Sequence, residues 1–145
     1  MDPAQQFPRL RQTVLDCTDA RSLAEFYRQL LGYEYRAGDE APAQGSDDTN
    51  GQDWLVLRDS DGLTHLAFQQ VATLPQVTWP EGPIPQQLHL DMTVGTVQDL
   101  DAQHVRAMEL GARLLLDRTA DPDEPLRVYA DPAGHTFCIF VAVES

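Results

Sequence analysis

The chain has 145 residues, of which 42% are hydrophobic and 23% are charged, a composition typical of one soluble globular domain. The net charge of −13 comes from 23 acidic and 10 basic residues, and every basic residue is an arginine. Because such an excess of carboxylates repels phosphates, and no stripe of basic residues is visible, nucleic-acid binding is not expected. No apolar run reaches the roughly 18 residues that a membrane span needs, so no membrane partner is expected either.

The first residues and the cysteines bear on the cellular location. The segment 1–6 lacks the basic and apolar regions of a signal peptide. Cys17 and Cys138 do not have the spacing of a metal-binding pair of cysteines, and nothing indicates an oxidising compartment. We therefore expect a cytoplasmic protein.

The first half of the chain predicts one strand, one helix and three further strands. Residues 12–18 alternate as a strand does, and Thr18 or Asp19 then caps a helix that Gly32 ends. Five apolar residues fall on one face of that helix: Leu23, Phe26, Tyr27, Leu30 and Leu31. Strands are predicted around 33–36, at 54–58 and at 63–71, the last after a turn at 59–62.

The second half repeats this order. A strand is predicted at 87–94, followed by a helix that opens with a capping box at Thr96 and Asp99 and ends at Gly111. Strands follow at 113–117 and 126–130, and then the turn 131–134 leads into the last strand. In that strand Phe137, Ile139 and Val141 alternate with Thr136, Cys138 and Phe140. The first three predict a face in the core, and the other three predict a second face that carries a hydroxyl, a thiol and an aromatic ring.

The repeated order predicts a diverged duplication in an α+β fold. We interpret residues 1–145 as a single domain, with module 1 at about 10–71 and module 2 at about 87–143. The segment 72–86 contains four prolines and one glycine, which is typical of an extended linker. The acidic segment 38–53 is interpreted either as a solvated loop or as a lid over a binding site.

Two motifs carry a family resemblance: HLDMTV at 89–94 opens the second copy and DPAGHTFCIF at 131–140 closes it. With the βαβββ unit occurring twice, the sequence resembles the glyoxalase/bleomycin resistance/dioxygenase superfamily, also called the vicinal oxygen chelate superfamily. More narrowly, it resembles the glyoxalase-like domain proteins common in actinobacteria. The resemblance implies two βαβββ modules that form curved mixed sheets around a cavity, and it implies a homodimer. It specifies the fold far more than the chemistry, because this fold hosts many activities.

The resemblance also implies four positions at which the metal enzymes of the superfamily hold a divalent ion. In this sequence those positions fall on Gln12, Ala67, His89 and Cys138. An amide and a methyl group are poor substitutes for an imidazole and a carboxylate, so we expect no cofactor. Any metal present would be held by His89 with Cys138 or Asp91, with His65 as a further candidate for zinc.

Three hypotheses for the function follow. The first is binding of an unknown small organic molecule in the cavity between the sheets, without the usual four-ligand metal site. The second is acid–base catalysis in which His89 is the base and either Asp91 or Gln12 orients it. The third is a lyase, isomerase or dioxygenase that uses a divalent metal with a non-standard ligand set. Whether the protein is an enzyme stays open at this point. The predicted substrate-binding residues are Gln12, Trp54, His65, Gln69, Cys138 and Phe140.

Overall fold

The computed structural model describes residues 6–142, which form two four-stranded sheets with one long helix each. Module 1 comprises β1 (Thr13–Cys17), α1 (Ala20–Leu31), β2 (Glu34–Tyr35), β3 (Trp54–Arg58) and β4 (Thr64–Gln70). Module 2 comprises β5 (His89–Val94), α2 (Val97–Leu110), β6 (Arg113–Asp117), β7 (Leu126–Ala130) and β8 (Thr136–Val141). The strand orders, β1-β4-β3-β2 and β5-β8-β7-β6, are the same, so the predicted α+β duplication is confirmed.

Both helices begin and end where the sequence predicts. The Asp19 side chain accepts a hydrogen bond from the Ser22 amide at 3.0 Å, and the Thr96 hydroxyl accepts one from the Asp99 amide at 3.0 Å. Gly32 and Gly111 follow the two helices with φ values of 69° and 113°, a region that residues with a Cβ rarely adopt. The helix caps therefore fix the same strand–helix–strand path in each module.

Each sheet has a core face, which packs against the helices, and an open face on the opposite side. In β8, Phe137 and Ile139 lie on the core face with 0% and 3% of their surface exposed. Cys138 and Phe140 alternate with them and point to the open face of module 2. The predicted division of this strand into two faces is therefore confirmed.

The two modules share one core through α1. The ring of Tyr27 lies 5.9 Å from that of Phe68 in its own module and 6.1 Å from that of Phe137 in the other. Its hydroxyl donates a buried hydrogen bond of 2.6 Å to Asp131, in the turn before β8. Burial raises the pKa of the Asp131 carboxyl, while the hydrogen bond from Tyr27 opposes that rise. A buried polar pair therefore joins the two modules.

The acidic segment 38–53 is fixed to the body of module 1. Arg21 of α1 donates to Asp48 at 2.8 Å and to the Asp39 carbonyl oxygen at 2.7 Å. The Asp39 carboxylate accepts a hydrogen bond from the Val56 amide at 3.0 Å, at the edge of β3. The segment therefore contacts α1 and β3 through these residues, while most of its other side chains are exposed, as expected of a solvated loop.

Neither α1 nor α2 has the length and apolar character needed to cross a lipid bilayer, and residues 6–142 contain no other helix that does.

Candidate functional site

The predicted site residues lie on the open faces, but the two modules keep them apart. Strand pairing places Val14 beside Ala67 in module 1 and Asp91 beside Cys138 in module 2. Gln12 and His65 then line one cavity, of about 800 Å³, on module 1. His89, Asp91, Cys138 and Phe140 line a second cavity on module 2. The expectation that a single cavity gathers all of these side chains is therefore wrong, because each open face has its own cavity.

The module 2 cavity has a volume of about 450 Å³ and combines polar and apolar surfaces. The polar part includes the group His89, Asp91 and Cys138 on β5 and β8, and four further polar side chains line the cavity: Gln86, Arg118, Glu124 and Thr136. The apolar part comes from β6, β7 and β8 and from the linker: Leu116, Leu126, Val128, Phe140 and Trp79. A cavity of this size with a few convergent polar groups is typical of a small-molecule site.

Asp91 connects the polar side chains of the module 2 cavity. Its Oδ1 atom lies 3.2 Å from His89 Nε2 and accepts a hydrogen bond of 2.8 Å from the Cys138 thiol. Burial, together with the hydrogen bond to Asp91, raises the pKa of Cys138 to about 12. At neutral pH the thiol therefore stays protonated and is a hydrogen-bond donor, not a nucleophile.

The linker supplies one side of the module 2 cavity. Gln76 donates a hydrogen bond of 3.0 Å to the Ala133 carbonyl oxygen, which holds the linker against module 2. Trp79 and Gln86 then reach the cavity, where Gln86 Nε2 lies 3.5 Å from His89 Nδ1. Sequence analysis missed Gln86, because nothing in a proline-rich segment indicates which of its side chains turns toward a strand.

A third cavity, of about 410 Å³, lies between the two sheets under the linker. It is mainly apolar, and none of the predicted site residues lines it. Gln86 and Thr136 line both this cavity and the module 2 cavity, so these two side chains form the boundary between them. Thr136 is only 3% exposed, and within residues 6–142 neither its hydroxyl nor Gln86 Oε1 has a hydrogen-bond partner.

The predicted residues of module 1 have different surroundings. His65 Nε2 lies 2.7 Å from the Asp59 carboxylate, and the His65 ring stacks on Tyr33 at 5.8 Å. Trp54 and Gln69 pair across β3 and β4 and line neither the module 1 cavity nor the module 2 cavity. These side chains are therefore not brought to the His89 group within one chain.

The donor set does not fit the divalent ion of the superfamily's metal enzymes. Of the four family positions, Gln12 and Ala67 lie on module 1 and offer at most one neutral oxygen, while Cys138 is bound to Asp91 as a thiol. Over the described part of the chain, no group of three or more His, Cys, Asp or Glu side chains is arranged to hold a metal ion.

Comparison with known proteins identifies the family. The sequence profile of the family described as "Glyoxalase-like domain" matches residues 12–140, which covers both helices and every strand except the last residue of β8. The chain belongs to this glyoxalase-like domain family. No curated protein sequence matches the chain, so the family assignment brings no established activity with it.

Solved structures show the same fold at low sequence identity. A glyoxalase/bleomycin resistance protein/dioxygenase family enzyme from Burkholderia phytofirmans PsJN aligns with a TM-score of 0.66 and 17% identity, covering 94% of this chain and 100% of that one. A glyoxalase/dioxygenase from Nostoc punctiforme has a TM-score of 0.64 and 20% identity, with 99% and 97% covered. The fosfomycin resistance protein FosX from Listeria monocytogenes has a TM-score of 0.66 and 13% identity, with 95% of each chain covered.

Proposed function

We propose that this glyoxalase-like protein binds a small organic molecule in the module 2 cavity and needs no metal ion to do so. The observation that carries the proposal is the His89–Asp91–Cys138 group, which faces an apolar surface across a cavity of about 450 Å³. Apolar surface supplies most of the affinity in such sites, and a few fixed polar groups orient the ligand.

The geometry favours a ligand with an apolar body and one hydrogen-bonding group, such as a carbonyl or hydroxyl. The His89 side chain is 49% exposed, so its ring is accessible to a ligand while Asp91 fixes its orientation. The same pair is placed to accept a proton from a bound ligand, with His89 as the base and Asp91 as its partner. Phe140 and Trp79 would cover the apolar body of the ligand.

Three further parts of the proposal concern the setting of the protein. A homodimer is supported by exposed apolar side chains beside the cavity between the sheets, where Val14, Ile84 and Leu88 are 37%, 38% and 44% exposed.

A cytoplasmic location is supported by the two free cysteines. The HLD strand at 89–91 and the DPAGH-x-FC ending at 131–138 support a place among the actinobacterial glyoxalase-like proteins. Light scattering on the purified protein checks the oligomeric state.

The ligand-binding proposal is tested by protein-observed NMR with a library of small aromatic and aliphatic carbonyl compounds. The protein is treated with EDTA beforehand, so that any binding is independent of metal. We expect compounds that shift the amide signals of β5 and β8 in the wild type and bind at least tenfold more weakly to His89→Ala. Gln12→Ala, which changes the other open face, is the matched control and should bind as the wild type does. Binding unaffected by His89→Ala, or signal changes confined to module 1, would contradict the proposal.

A further inference from the structure

Three arginines line the module 1 cavity. Arg58, at the end of β3, lines the cavity of about 800 Å³ together with Arg9 and Arg11, which precede β1. Because 46 residues separate Arg11 from Arg58 in the sequence, no basic stripe is visible there. In a chain with a net charge of −13, a cavity that gathers three of the ten basic residues is a local exception.

These three arginines differ from most others in lacking a carboxylate partner. Five arginines form salt bridges with Asp or Glu within 4.0 Å: Arg21, Arg28, Arg36, Arg118 and Arg127. Within residues 6–142, none of Arg9, Arg11 and Arg58 forms such a bridge, although acidic residues outnumber basic ones by more than two to one. The Arg58 Nε atom is buried without a hydrogen-bond partner there, which costs free energy that a ligand oxygen would recover.

The other groups around the cavity are compatible with an anion. Asp59, which follows Arg58 in the chain, already accepts hydrogen bonds from the Asp61 and Leu63 amides and contacts His65 at 2.7 Å. Gln12 Oε1 is buried in the same cavity without a donor among the described residues. Arginine donors beside a free acceptor suit an oxyanion that also carries a hydroxyl or a protonated oxygen.

From this arrangement we infer that module 1 has a binding site for a small oxyanion, a carboxylate or a phosphate group with an adjacent hydroxyl. Arg58 is the central contact, Arg9 and Arg11 supply further charge, and Gln12 accepts the hydroxyl. The site uses no residue of the module 2 cavity and does not depend on the function proposed there.

The test is titration with inorganic phosphate at constant ionic strength, followed by calorimetry and by NMR of the amides around β3 and β4. Glycolate, a carboxylate with an adjacent hydroxyl, is the second probe and distinguishes the two sources of the anion. We expect saturable millimolar binding of at least one probe, weakened at least tenfold by Arg58→Gln and severalfold by Arg11→Gln. Arg113→Gln is the matched control, because Arg113 is an exposed arginine of module 2 with no ion pair among the described residues.

Each possible result either supports or overturns the proposed oxyanion site. Binding that Arg58→Gln or Arg11→Gln weakens and Arg113→Gln leaves unchanged supports it, and binding unchanged in His89→Ala separates it from the module 2 site. No saturable binding of either probe, or equal weakening by all three arginine variants, overturns it. If Arg58→Gln fails to fold, Arg9→Gln combined with Arg11→Gln gives the same readout, since both residues lie before β1 and outside the core.

Discussion

At matching positions of the two modules, Val14 faces Ala67 and Asp91 faces Cys138. The first pair is apolar and makes no side-chain hydrogen bond, whereas the second is linked by a hydrogen bond of 2.8 Å and contacts His89. The strand order around them is the same. The open faces have therefore diverged in chemistry while the framework has not.

The core faces show why such divergence is possible. Leu66 and Phe68 of module 1 correspond to Phe137 and Ile139 of module 2, and all four are buried and apolar. Since burial of these side chains stabilises the fold, their type is constrained. The open-face side chains lie outside this shared core, even where they are buried as Val56 and Ala67 are, so their chemistry is less constrained.

The largest expected effect tests this contrast within one strand. Phe137→Ala should lower the free energy of unfolding by about 3–5 kcal/mol, because it leaves a cavity in the shared core. Its neighbour Cys138→Ala should cost about 1 kcal/mol or less, the usual net value of one hydrogen bond. Urea unfolding of both variants provides the comparison, and similar losses would contradict the division into a core face and an open face.

The second prediction concerns the joint between the modules. Tyr27→Phe leaves the buried Asp131 carboxylate without its 2.6 Å donor and should cost about 1–3 kcal/mol. The pKa of Asp131 is already raised by burial, and loss of this hydrogen bond raises it further. When the pKa of a carboxyl is higher in the folded than in the unfolded state, the protein loses stability as the pH rises from about 4 through the folded-state pKa. The cost of Tyr27→Phe should therefore be larger at pH 8 than at about pH 4.

The matched control for Tyr27→Phe is Tyr33→Phe, since the Tyr33 hydroxyl has no hydrogen-bond partner among residues 6–142. Its effect should be small at both pH values. An equal cost of Tyr27→Phe at both pH values would mean that loss of the hydrogen bond does not raise the pKa of Asp131, and it would contradict the prediction.

The third prediction probes the polar group of module 2. With a pKa of about 12, the half-buried Cys138 thiol should react slowly with iodoacetamide at pH 8. Asp91→Asn removes a negative charge that helps to raise this pKa, so the alkylation rate of Cys138 should increase severalfold. Mass spectrometry separates this thiol from the buried Cys17, which should be unaffected. An unchanged rate would mean that Asp91 does not control the thiol.

The smallest expected effect concerns the boundary between two cavities. Thr136→Val replaces a buried hydroxyl that has no partner in the described chain by a methyl group of similar shape. We expect the protein to gain up to about 1 kcal/mol of stability, measured by urea unfolding. Thr136→Ser keeps the hydroxyl and should give no such gain. A loss of stability in Thr136→Val would show that the hydroxyl is hydrogen-bonded in solution.

The sequence predicts the modules well because their signals are local. Caps at Asp19 and Thr96, glycines after the helices, and the alternation around Cys138 each depend on neighbouring residues. They were sufficient to place the strands and to assign Cys138 to an open face.

The composition of the cavities depends on contacts between residues far apart in the chain. The Tyr27–Asp131 hydrogen bond spans 104 residues, and the Gln76–Ala133 bond that holds the linker spans 57. No periodicity indicates such pairs. For this reason the sequence could not show that Gln12 and His89 line different cavities, that Gln86 reaches His89, or that Arg58 joins Arg9 and Arg11.

Thermal unfolding tests most directly whether the module 2 cavity binds its ligand without a metal ion. Melting temperatures are measured after EDTA treatment and then with Zn²⁺, Ni²⁺, Mn²⁺ or Fe²⁺, for the wild type and His89→Ala. An ion at a hundred times its dissociation constant would add about 2.7 kcal/mol, which is a rise of several degrees. We predict no rise with any ion in either protein. A rise in the wild type that disappears in His89→Ala would contradict the claim and would identify a metal site with an unusual ligand set.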